Sequence, residues 1–224
     1  MSRSKKTRTK STDHRLQQVR LEIATEAARI IATEGQQNYH AAKKKAAERR
    51  GVSERLALPS NLEIKDALRT YLELYGGTAH TDNLARLRRA AVSAMHWLDK
   101  FTPRLVGAVL DGTANEHSRA GLHIFADSTE SVILHFLENG KPFSEEQRQI
   151  RWYDGKHRTV PLVIFEQDGS TMELTIFERV HLRQSPPSPI NGKPQRRANL
   201  AEAESLLTEN HAAQPGWQPV NRAG

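Results

Sequence analysis

The chain has 224 residues, 37% of them hydrophobic, and a mean hydropathy of −0.66, a composition that predicts one or two packed domains with solvated ends. Its apolar runs reach only about half a dozen residues against the roughly 20 of a membrane span, so no transmembrane or secretory segment is expected. The absence of cysteine excludes disulfides, thiolate metal sites and cysteine nucleophiles and fits a cytoplasmic protein, while the net charge of +7 points toward anionic partners.

That charge is unevenly placed. Residues 1–12 hold Arg3, Lys5, Lys6, Arg8 and Lys10 with no acid, which leaves 28 basic and 26 acidic residues for everything else. This stretch reads first as a solubilising, disordered basic tail, and second as one that could sample nucleic acid phosphates electrostatically. Residues 13–101 read as a helical region. A first helix, residues 13–34, carries Leu16, Val19, Ile23, Ala27 and Ile30 on one face and ends at Gly35. A second, 41–50, stops at Gly51. A third opens on Ser60 with Glu63 three residues later, a capping-box spacing, and carries Ile64, Leu68, Tyr71, Leu72 and Tyr75. A fourth, 84–100, buries Leu84, Leu87, Ala91, Met95 and Leu98.

Residues 102–183 read as a mixed α/β unit. Residues 105–110 and 121–125 are expected as buried neighbouring strands of one sheet, and Ser128 caps a helix running to Glu138 and packed on that sheet. Strands at 148–153, 160–166 and 171–180 follow, joined by the Asp154-Gly155 and Asp168-Gly169 turns. Residues 184–224 read as a linker, a short helix at 200–209 and a disordered tail.

The run Leu105-Val106-Gly107-Ala108-Val109-Leu110-Asp111-Gly112-Thr113-Ala114-Asn115-Glu116-His117-Ser118-Arg119-Ala120-Gly121-Leu122-His123-Ile124-Phe125 resembles the opening of a polymerase-β-type nucleotidyltransferase domain. That family shows a strand, a Gly-Ser pair, a loop often ending in Ser, and an Asp-x-Asp or Asp-x-Glu pair on a second strand. Gly107-Ala108 stands at the Gly-Ser position, Gly112 and Ala114 fit the small loop residues, and Ser118 precedes the acidic pair. The stretch from Lys43 to Gly51, with Leu58-Pro59, resembles the leader of a bacterial group of such proteins. The resemblance implies an α+β fold: a helical N-terminal region, then a nucleotidyltransferase-like mixed sheet with flanking helices. It also implies a nucleotide site at Gly107, Ala108, Ser118, Arg119 and His123.

Nucleotidyl transfer needs carboxylates to hold two divalent ions, and acids spaced by two on a strand share one face. Here the matching positions are Arg119 and Gly121. Arginine repels a cation and glycine offers no ligand, so the family's Mg²⁺ is not expected and no metal site is assigned. The family's third acid maps to Glu173, the one candidate catalytic carboxylate, and one carboxylate cannot rebuild the centre. The predicted protein is a catalytically degenerate nucleotidyltransferase that keeps nucleotide or phosphate binding.

Other arrangements compete. His123, His117, Glu116, Asp111, Asp127 and Glu173 would make a weak one-metal site, and Arg119, His117 and His123 a metal-free phosphate site. No zinc-hydrolase, dinucleotide, P-loop or nucleophile-elbow motif occurs. Trp97, Trp152 and Tyr153 fall in periodic segments and read as core or rim. A different class, a nucleic-acid-binding regulator, rests on residues 23–53, which resemble the start of a TetR-type helix-turn-helix with Lys45 and Arg49 one turn apart on a basic face. Its recognition helix would begin near Ser53 and meet Pro59 within two turns. A scaffold role is the third class.

Overall fold

The computed structural model describes residues 3–36, 38–52 and 58–212, which hold seven α-helices and five β-strands in two compact units. The helical unit runs to His80 and includes Asn115–Ser118 and Pro189–Gly192. Its elements are α1 (Arg3–Glu34), α2 (Tyr39–Arg49) and α3 (Asn61–Tyr75). Helix α1 begins ten residues before the expected start at Asp13, so it takes in most of the stretch read as a disordered tail. Ile23, Ala24, Ala27, Ala28, Ile30 and Ile31 of α1 pack with Ala42, Ala46 and Ala47 of α2 and with Ile64, Leu68 and Leu72 of α3. The alanines keep α2 thin enough for close approach.

Caps end these helices as their side chains dictate. Asn38 Oδ1 accepts from the N–H groups of His40 and Ala41 to start α2, and Ser60 with Glu63 forms the expected capping box on α3. Gly35 leaves α1 at φ +70°, and a Cβ there would stand 2.8 Å from the ring of His117. The buried Asn115 Nδ2 donates to the carbonyl of Ile31 at 2.7 Å, satisfying one of the last carbonyls of α1.

The sheet unit takes α4 (Gly77–Trp97) from Thr81 onward, a 3-10 turn at Asp99–Phe101, β1 (Arg104–Val106), α5 (Gly107–Asp111), β2 (Ala120–Ala126) and α6 (Thr129–Glu138). After these come β3 (Phe143–Arg151), β4 (His157–Gln167), β5 (Ser170–Glu178), a 3-10 turn at Arg179–Leu182 and α7 (Leu200–Ala212). The sheet order is β1-β2-β5-β4-β3, with β2 and β5 parallel and every other pair antiparallel. Period-two alternation sends Leu122 and Ile124 of β2 and Met172, Leu174 and Ile176 of β5 into one core with Leu87, Ala91 and Met95 of α4 and Val132 and Phe136 of α6. The other face carries a smaller cluster of Phe125, Phe177, Val160 and Trp152.

Three expectations are corrected. The strand expected at 105–110 is only β1; from Gly107 the chain turns into α5, because Gly107 and Gly112, at φ +73° and +76°, bend it at both ends while Val109 and Leu110 stay buried. A short apolar run carries no periodicity that separates strand from helix. The division between units falls after His80 and not after Phe101, since the stripe Leu84, Leu87, Ala91, Met95 and Leu98 packs in the sheet core. The last strand ends at Glu178, and Val180 lies in the 3-10 turn. The C-terminal tail beyond residue 212 and the Ser53 start of a recognition helix lie outside the described residues. No described helix is long and apolar enough to cross a membrane.

Candidate functional site

The face of the sheet that carries Phe125 and Phe177 also carries the residues singled out from the sequence. Arg119 stands at the threshold of β2, and Gly121 and His123 follow at two-residue steps along the same face. In the parallel pairing Gly121 lies level with Glu173 and His123 with Thr175, and on the other side Val106 of β1 lies level with Gly121. The Asp168-Gly169 turn joins β4 to β5 and so delivers Glu173 beside Gly121, as its spacing predicts. A Cβ built on Gly121 would stand 3.2 Å from Val106 Cγ2.

Glu173 is already engaged. Arg148, from β3, forks onto it with Nη1 2.7 Å from Oε1 and Nη2 2.8 Å from Oε2. The Nη1 of Arg119 lies 3.8 Å from Glu173 Oε2 and 3.7 Å from Glu146 Oε1, so it attracts both carboxylates beyond hydrogen-bond distance. The Glu173 side chain is only 15% exposed, whereas Arg119 and Arg148 are 43% and 48% exposed. These residues do not fit a two-metal centre: the positions that the resemblance assigns to acids hold Arg119 and Gly121, and the Arg148 guanidinium occupies both oxygens of Glu173. Among the described residues no cluster of three or more His, Asp or Glu is placed to hold a metal ion, which corrects the one-metal alternative.

His123 corrects a second expectation. The residue is 4% exposed and its Nδ1 accepts from Arg197 Nε at 3.0 Å, so the proton sits on Nε2 and the ring is neutral. Burial, aided by the charges of Arg197 and Arg148, holds its pKa down at about 3, so it is no imidazolium for a phosphate. Arg197 lies over the rings of Phe125 and Phe177 at 4.9 and 5.4 Å and donates from Nη1 to the carbonyl of His181. Burial, with Arg104 nearby, lowers its own pKa to about 10, still well above neutrality.

The remaining predicted residues divide. Gly107 opens α5 with open space where a Cβ would be, and the carbonyl of Ala108 accepts from Thr113 N–H at 2.9 Å. Ser118 belongs to the helical unit, where its Oγ donates to Asn115 Oδ1. His117, with Glu116 at 3.5 Å, belongs to that unit too. Asp127 accepts from Arg179 Nε at 2.9 Å. Trp97 packs with Phe136 and Phe165 in the core. Trp152 is buried beside His181, and Tyr153 donates its hydroxyl to the carbonyl of Ser185.

In the helical unit, the basic face proposed for a regulator is tied up. Lys45 and Arg49 each reach Glu34 at 2.7 Å, and Arg49 also reaches Glu26 at 3.3 Å. Hydrogen bonds from Arg49 and then Lys45 pull the Glu34 pKa down to about 2. The sequence reading missed Arg148 and Arg197. No motif marks either one, since a hairpin pairing and a linker place them. Against family models, curated proteins and solved structures, the chain matches none.

Proposed function

We propose that the sheet unit is a nucleotidyltransferase-like domain without transferase activity that binds a nucleotide through its phosphates, with no metal. One observation carries this reading: antiparallel β1 and β2 and parallel β5 bring Gly121 and Glu173 side by side, on the face where the resemblance puts the metal-binding acids, and guanidinium groups stand there instead. Arginine presents a planar set of donors that matches phosphate oxygens, so Arg119 and Arg148 replace attraction by a metal with direct hydrogen bonding. Gly107 adds a main-chain turn open to solvent-side approach. Catalysis has no such substitute, because nothing here activates an attacking oxygen.

The test joins transfer and binding. Labelled nucleoside triphosphates with Mg²⁺ or Mn²⁺ are expected to give no transfer to protein or RNA, while triphosphate binding persists in chelator. Metal-dependent transfer that disappears in Glu173→Ala would overturn the proposal.

A further inference from the structure

We infer that Glu173 is an internal competitor for the phosphate rather than a metal ligand: it holds Arg148 until an uncomplexed di- or triphosphate takes that guanidinium over, with Arg119 as the second donor. The inference rests on the phosphate-binding reading above and assigns that site its ligand form and its resting state. A carboxylate in a two-point fork presents to arginine the same pair of oxygens that a phosphate presents. The Arg148–Glu173 pair, at 2.7 and 2.8 Å, therefore occupies the contact a ligand would make. Both arginine side chains are nearly half exposed and Glu173 is mostly covered, so an incoming anion meets the guanidinium groups first.

The charge balance favours the exchange. Arg104, Arg119, Arg148 and Arg197 lie on this face with Glu146, Glu166 and Glu173 as its acids, Arg158 being paired with Asp154, and His123 adds none while neutral. One positive charge is left over among these groups. A triphosphate brings more negative charge than Glu173 alone and can bridge Arg148 and Arg119 together. Arg119 Nη1 stays 3.7 and 3.8 Å from the two carboxylates, beyond hydrogen-bond distance, and the side chain is 43% exposed, so an anion can reach it without first displacing a close ion pair. Magnesium would work against such a site, because it takes the same phosphate oxygens and cancels two of their charges.

The two roles for Glu173 predict opposite signs. Calorimetric titration of the full chain uses ATP and inorganic tripolyphosphate, each in chelator and in millimolar Mg²⁺. The wild type is expected to bind both in chelator and to bind them several-fold more weakly with Mg²⁺. Glu173→Gln removes a like charge beside the ligand and is expected to tighten binding roughly tenfold, and Arg148→Met to weaken it by a similar factor. Arg148→Lys keeps the charge without the fork and should fall between them. Thermal unfolding of each variant confirms that it is folded. Binding that requires Mg²⁺ and disappears in Glu173→Gln would overturn the inference while leaving a nucleotide site. Binding of tripolyphosphate but not ATP would support it and overturn the nucleotide reading. Binding of neither ligand by any variant would overturn both.

Discussion

Replacing Arg119 and Gly121 with aspartate restores the acid pair that the resemblance expects, yet the structure predicts a poor metal site in that double variant. The new Cβ at Gly121 meets Val106 Cγ2 at 3.2 Å, so the valine must give by a few tenths of an ångström. Such a rotation costs about 0.5–1.5 kcal/mol and should lower the melting temperature by a few degrees. The larger obstacle is Arg148, which stays forked on Glu173. A divalent ion on that carboxylate would sit about 4 Å from the guanidinium. With Arg148 nearly half exposed the water-like dielectric applies, and the repulsion is roughly 2 kcal/mol, or about thirtyfold in metal affinity. Manganese titration by calorimetry or electron paramagnetic resonance compares the double variant with one that also carries Arg148→Met. The triple variant should bind Mn²⁺ about thirtyfold more tightly. Equal affinity in the two would refute the claim that Arg148 holds the place of the metal.

Deleting residues 1–12 removes five cations, so any nucleic acid affinity of the full chain should fall and its logarithmic salt slope should flatten by about four; an unchanged slope would shift attention from the tail to other basic residues. His123 predicts acid sensitivity: the unfolded ring takes its proton near pH 6.5 and the folded one at about 3, so stability is complete above 6.5 and drains as pH falls toward 3. His123→Gln keeps an acceptor for Arg197 without that liability, and melting curves from pH 7 to 4 should show a shallower decline in the variant. Asn115→Ala strands the buried Ile31 carbonyl and is expected to cost about 1–3 kcal/mol, visible as a lower denaturant midpoint with an unchanged slope.

Local chemistry made much of the fold legible. The Ser60–Glu63 box, the stripe on α4, the Ser128 cap and the two Asp-Gly turns each act within a few residues, and each appears where its spacing places it. What escaped depends on distant partners. Residues 107–111 are as apolar as a strand, and only the two glycine φ angles turn them into α5. The α4 stripe announced a buried face without saying which core buries it. At the site, alternation along β2 and β5 put Arg119, Gly121, His123 and Glu173 on one face. Arg148 arrives through the β3–β4 register, which no spacing in its own segment announces.

The presence of Glu173 has a physical account that requires no metal. The carboxylate lies between Gly121 and Ile164 and is mostly covered, so an unpaired charge there would be costly. In a two-metal centre, divalent ions and companion acids balance that charge; here β3 supplies a permanent cation on the opposite side of β4. Such a pair is always loaded, whatever the metal concentration, and its strength is set by salt and by competing anions. On the proposed reading, the hydrogen bonds that make Glu173 tolerable are the ones for which a phosphate competes. Removing Arg148 should accordingly do two things at once: lower the melting temperature, because the covered Glu173 carboxylate loses its forked cation, and abolish the salt dependence that Arg148 lends to phosphate binding.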